Sequence, residues 1–129
     1  MDGSLRIRIR GVTRIMSSPD PDGVIVISKG AAYLTKADDP NSAKQLPIHP
    51  VTDVRVITEL GLVIFANFSR LFAYGADGLR WESAHLCTDS LKILSVDGGT
   101  ITGSGYDPGG PTGTVGFAVD LQTGAEQLD

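Results

Sequence analysis

Apolar, β-rich runs follow glycines at Gly23, Gly61 and Gly99, 38 residues apart, and this recurrence limits the possible folds more than any other feature of the chain. At that offset residues 24–27 align with 62–65, Tyr33-Leu34 with Leu71-Phe72, and Asp39 with Asp77. Self-similarity at a period of roughly 20 to 50 residues marks architectures in which each small unit hides its apolar face against the next. Three such units, about 17–50, 51–87 and 88–129, account for most of the chain, the third needing an insertion within 105–116 before its return strand aligns.

The units read as hairpins. Residues 5–10 alternate Leu5, Ile7 and Ile9 with Arg6, Arg8 and Arg10, the period-two pattern of a half-buried strand whose charged face blunts a sheet edge. Ser17 to Gly23 then carries Pro19, Pro21 and Asp22-Gly23, a turn. Val24-Ile25-Val26-Ile27 is a β-branched strand, reversed at Lys29-Gly30 to return through Tyr33-Leu34. Residues 37–50 contain Pro40, Pro47 and Pro50 with Asp38, Asp39 and Asn41, and are expected to form a long connection with at most a short strand near Leu46. Val54, Val56 and Ile57 lead into the densest apolar stretch, 61–82, which holds the sole Trp and three of the four Phe. There 62–65 and 71–74 make a hairpin about Asn67-Phe68-Ser69, and Asp77-Gly78 turns the chain into Leu79-Arg80-Trp81-Glu82. The strand and turn pattern repeats over 91–94 and 96–101, with the turn at Asp97-Gly98-Gly99, and a last strand at 117–121 ends in a turn at Gln122-Thr123-Gly124. Helical periodicity appears nowhere.

The expected fold is therefore an all-β single domain over residues 1–129. It is a meander of about three hairpin units that closes as a small sandwich or barrel, or as a blade-like partial propeller. At 129 residues the chain can bury roughly two thirds of its unfolded surface and needs no disulfide. Cys87 is the single cysteine, which fits a reducing compartment, and a cytoplasmic location is expected. No run approaches the roughly 18 apolar residues of a membrane helix, and the N-terminus lacks the apolar core of a signal peptide. The net charge of −4 divides into +3 over residues 1–14 and −7 over the remainder, so the body is acidic and a nucleic-acid partner is not expected.

Ala73-Tyr74-Gly75-Ala76-Asp77-Gly78-Leu79-Arg80-Trp81 and Phe117-Ala118-Val119-Asp120-Leu121-Gln122-Thr123-Gly124 resemble the repeat of quinoprotein-type β-propellers, in which Ala-x-Asp and a Thr-Gly turn precede a Trp that docks between blades. The resemblance covers about a third of the chain. Trp81 stands one residue short of the docking spacing, and the corresponding place after Gly124 holds Leu128. The resemblance implies blade-like hairpin units. A closed propeller has four to eight blades, so neither a quinone cofactor nor a catalytic residue is carried over, and no cofactor is expected.

Candidate chemistry is sparse. On a strand, His85, Cys87 and Asp89 would share one face, yet a structural zinc site takes four ligands in paired spacings and the other histidine is His49. The plainer reading is a turn-flanking histidine and a semi-buried thiol. Asp20-Pro21-Asp22-Gly23 lacks the remaining ligands of a calcium loop. Gly103-Ser104-Gly105 and Gly109-Gly110 lack the Lys-Ser or Lys-Thr of a phosphate loop and read as flexible. Tyr106-Asp107-Pro108, in a loop longer than a hairpin needs, is the best candidate for a binding loop.

These residues point to a non-enzymatic binding or protein-interaction module. The alternative is a small enzyme without a local signature, using His85, Cys87 and Asp89. A homodimer is expected, because the strand through Phe117-Ala118-Val119 has neither charge nor proline to protect its edge, with Trp81 and Phe68 as apolar contributors if exposed. A sheet that hides its own edges would instead leave a monomer.

Overall fold

The computed structural model describes residues 13–18 and 23–127, in which three antiparallel sheets succeed one another along the chain. The expected strand at 5–10, the Asp20-Pro21-Asp22 turn and Leu128 lie outside the described residues. The first sheet comprises β1 (Thr13–Ser17), β2 (Gly23–Ser28), β3 (Ala31–Lys36) and β4 (Asp39–Gln45). The second comprises β5 (Asp53–Ile57), β6 (Leu62–Ala66), β7 (Leu71–Gly75) and β8 (Gly78–Glu82), with a single 3-10 turn over Thr58–Leu60. The third comprises β9 (Asp89–Asp97), β10 (Thr100–Tyr106) and β11 (Thr114–Asp120). Spatial order within every sheet follows sequence order, so each is an up-and-down meander, and no sheet closes into a barrel.

The 38-residue offset relates β2, β6 and β10, the second strand of each meander. Residues 37–50 depart from expectation, because Asp39–Gln45 is a strand despite Pro40. β4 is the outer strand of its sheet, where a residue without an N–H costs no ladder bond. The following segment remains irregular and buries Leu46, Ile48 and Val51 beneath the first two sheets.

The second sheet is the middle layer. Side chains alternate across a strand, and on β6 and β7 both faces are apolar. Val63, Phe65, Phe72 and Tyr74 pack with Ile25, Ile27 and Ala32 of the first sheet. Ile64, Ala66, Leu71 and Ala73 pack with Leu91, Ile93, Ile101 and Val119 of the third. Hence all five residues of β6 are buried, as expected for a strand covered on two sides. Polar bonds also tie the second and third sheets together, since the Arg55 guanidinium donates to the Ile93 carbonyl at 2.8 Å.

Trp81 sits in the same interface, 8% exposed, and its indole N–H donates to the Leu121 carbonyl at 2.9 Å. The ring lies on Gly124, where a Cβ would overlap the indole and where φ is +76°, a conformation favouring glycine. Beyond that turn the chain returns beside β11: Glu126 pairs with Val119, and the Gln127 N–H donates to the Ala118 carbonyl at 2.8 Å. Burial thus removes Trp81 from the apolar residues available to a partner.

Gly103 and Gly105 are buried on β10 rather than flexible. A Cβ at Gly103 would collide with the Phe117 ring and the Lys92 carbonyl, and one at Gly105 with Cys87. These glycines let the neighbouring chain approach closely.

Replacing Trp81 with Phe keeps an aromatic ring but leaves the buried Leu121 carbonyl without its donor, and is expected to cost about 1–3 kcal/mol. Gly124→Ala is expected to cost more, through both overlap and backbone strain. Urea denaturation followed by far-UV circular dichroism checks both, and equal midpoints for Trp81→Phe and the parent would refute the interface bond.

Candidate functional site

A meander places its successive connections alternately at the two ends of the sheet. The β2–β3 turn, the β6–β7 turn and the β10–β11 loop therefore share one end with the segments that pass from sheet to sheet, 46–52 and 83–88. Backbone bonds knit this end together: the Val51 N–H donates to Gly30 O at 2.6 Å, Thr52 to Ala66 O at 2.8 Å, Leu86 to Ser69 O at 2.8 Å and Thr88 to Tyr106 O at 2.8 Å.

Within this end the structure brings together the two sets of residues that the sequence leaves apart. β9 and β10 pair Asp89 with Tyr106, so the connector holding His85, Cys87 and Asp89 adjoins the loop holding Tyr106, Asp107 and Pro108. The connector is not a strand before Asp89, however, and its three candidates do not share a face. His85 and Asp89 are exposed, whereas Cys87 is buried among Leu86, Leu91 and their neighbours. Its thiol lies 3.4 Å from the carbonyl oxygens of both Phe68 and Asp89, either of which can accept its proton. Burial raises the thiol pKa above its ordinary value of 9.0, and the negative charges of Asp89 and Asp107 act in the same direction. A protonated, enclosed thiol is a poor nucleophile. Among the described residues no group of three or more His, Cys, Asp and Glu is placed to hold a metal ion.

The loop is ordered by its own backbone. The Asp107 N–H donates to Gly113 O at 3.0 Å, Asp107 O accepts from Gly110 at 3.0 Å, and the Asp107 carboxylate accepts from the Gly109 N–H at 2.9 Å. Tyr106 stands at the mouth, 48% exposed, with its ring beside Gly113. Pro108 is exposed at the tip.

Phe68, also 48% exposed, completes this surface. Its carbonyl accepts the Leu91 N–H at 3.1 Å, which fixes the β6–β7 turn against the connector. The turn is shaped by Asn67, whose side-chain oxygen accepts from the Ser69 and Arg70 N–H groups at 2.9 and 2.7 Å. Sequence reading assigns Phe68 to a dimer contact and not to the binding loop; the available signal is a large aromatic residue at the centre of an Asx turn. The resulting face carries two aromatic rings, the carboxylates of Asp89 and Asp107, and the imidazole of His85, with Arg70 held aside by Glu82.

Neither a scan of protein-family models nor a search of curated proteins returned a match to this chain.

Cys87 is expected to resist Ellman's reagent in the native protein and to react fully in denaturant; rapid labelling of the native protein would contradict its burial. Because its folded pKa is raised, the native state retains the proton more tightly than the unfolded chain. The stability present below the ordinary thiol pKa is therefore lost as pH rises from there through the folded value. A Cys87→Ala variant, compared with the parent by denaturation across this alkaline range, is expected to show a smaller decline.

Proposed function

We propose that the chain is a non-enzymatic protein-interaction module of blade-like units, a partial propeller, that takes a basic segment of a partner on the loop end of its second and third units. The supporting observation is the pair of half-exposed aromatic rings, Phe68 and Tyr106, set on either side of the connector beside two carboxylates. Aromatic anchors supply contact area at low conformational cost, and a ring flanked by carboxylates suits an arginine or lysine side chain. The enclosed, protonated Cys87 and the separation of His85 from it favour this reading over an enzyme using His85, Cys87 and Asp89. A lone buried thiol is in keeping with a reducing, cytoplasmic setting; no helix among the described residues is long and apolar enough to cross a membrane.

Peptide arrays matched in composition but differing in charge test the proposal. Arginine-containing peptides are expected to bind preferentially, with affinity falling about tenfold for Tyr106→Ala and for Phe68→Ala. Retention of binding by the double variant, or preference for acidic peptides, would overturn it.

Self-association has support of its own from β11. Ala118 O and the Asp120 N–H face outward to residues 125–127, and the alternation of a ladder sets the Gly116 N–H and C=O on the same outer side. No described residue bonds them there. A second copy adding a strand at this edge would form a homodimer. Light scattering is expected to give a mass above the 13.6 kDa monomer at micromolar concentration, reverting to monomer in Gly116→Pro, which removes the outward donor without touching the β10 ladder. A parent mass that stays monomeric sinks the dimer.

A further inference from the structure

At the opposite end from the loop face, the first and second sheets part to leave a cleft of about 600 Å³. Its apolar walls are Leu34 of the first sheet and Val63 and Tyr74 of the second, and Lys36, Ser42 and Lys44 stand on its first-sheet side. That volume lies within the range of sites that enclose small organic ligands, which are mostly apolar with a few placed polar groups.

Three observations define what such a ligand must be. First, neither Lys36 nor Lys44 forms an ion pair with a described residue, whereas Arg55 pairs with Asp53 and Arg70 with Glu82. Asp38, Asp39 and Asp77 leave both ammonium groups unmatched, and the Asp39 backbone carbonyl accepts from the Ser42 hydroxyl at 2.7 Å. Second, the Ser42 hydroxyl accepts the Lys36 N–H at 3.0 Å, which fixes the backbone of β3 across a register irregularity and holds Lys36 at the cleft. Third, Tyr74 is 7% exposed, yet its hydroxyl has no hydrogen-bond partner among the described residues. Its ring is held edge-on against Phe65, with centroids 5.7 Å apart. Burial, reinforced by Glu82, raises the Tyr74 pKa, so the hydroxyl remains a donor. That hydroxyl is thus available to donate to a group within the cleft.

We propose that this cleft binds a small amphipathic carboxylate, whose apolar body lies between Leu34, Val63 and Tyr74 and whose anionic group meets Lys36 and Lys44. The apolar walls call for a hydrocarbon body, the two unmatched ammonium groups for an anion, and the Tyr74 hydroxyl for an oxygen acceptor within the cleft. A cationic or purely polar molecule satisfies none of these together.

Isothermal titration calorimetry with octanoate, octylamine and acetate tests it on the full chain. Octanoate is expected to bind at one site, octylamine and acetate not at all. Lys36→Gln/Lys44→Gln, exposed substitutions that leave the core intact, is expected to weaken octanoate by about tenfold or more. Leu34→Trp, which fills the cleft, is expected to abolish binding while circular dichroism shows a folded sheet. Equal binding of octylamine, undiminished affinity in the lysine variant, or no heat with octanoate up to about 10 mM overturns the proposal. Asp20 and Asp22, in the stretch between Ser18 and Gly23, provide a further arm: binding seen only in Asp20→Asn/Asp22→Asn would mean that the chain's own carboxylates serve the lysines, and the proposal would fall.

Discussion

Burial of β6 on both faces is the constraint on which the rest of the molecule depends. Its five residues are all enclosed, and fully burying a side chain such as Val, Ile, Leu or Phe contributes about 1.5–3 kcal/mol. A strand with two apolar faces cannot be satisfied by one partner sheet, so the meanders before and after it must both fold back upon it. The first supplies Ile25, Ile27 and Ala32 to one side, and the third supplies Ile93, Ile101 and Val119 to the other. Among the described residues the flanking sheets lack a strand so completely enclosed; on β9, Leu91 and Ile93 are buried while Ser90, Lys92 and Leu94 between and beside them are exposed.

Apolar packing alone leaves stacked sheets free to slide, because it is non-directional. Directional contacts set their alignment here. The indole N–H of Trp81 on the Leu121 carbonyl and the Arg55 guanidinium on the Ile93 carbonyl join the second sheet to the third at separate points. The buried glycines act in the same sense, since Gly105 admits Cys87 and Gly124 admits the Trp81 ring at positions where any side chain would hold the two layers apart. Small residues and one large one are thus complementary parts of a single interface.

The hairpins and their period were legible in the sequence because strands facing one core alternate with period two and the turns use Gly and Asp. β4 was not, since Asp39, Pro40 and Asn41 carry turn chemistry and an outer strand needs neither apolar alternation nor every backbone donor. The layer order was only partly legible: Leu62-Val63-Ile64-Phe65-Ala66 declares burial on two faces without saying what covers each. At the candidate site, the loop at Tyr106-Asp107-Pro108 was visible by its length, but its adjacency to Asp89 depends on register. A regular hairpin about Gly98-Gly99, which pairs Asp97 with Thr100, would set Asp89 opposite Pro108; the irregularities at Thr102/Gly103 and Ser104/Tyr106 bring it to Tyr106. Those shifts arise where glycines allow close approach, which local pattern does not reveal. The expectation that His85, Cys87 and Asp89 share a face failed because it assumed a strand where the chain crosses between sheets.

Repetition of a meander also explains why the molecule presents two chemically distinct ends. Each unit connects its second and third strands at one end and its first and second, and third and fourth, at the other, so stacked units align like connections with like. Loops at the first end must also carry the chain between sheets, which crowds the β6–β7 turn, the 83–88 connector and the β10–β11 loop together and exposes Phe68 and Tyr106 over Asp89 and Asp107. At the second end no crossing segment among the described residues fills the space between the first two sheets, and the tight turns at 37–38 and 76–77 leave the cleft edged by Lys36 and Lys44. An acidic, aromatic surface and a basic, apolar-walled cleft therefore follow from one topology, with the substitutions within each repeat deciding the chemistry that each end displays.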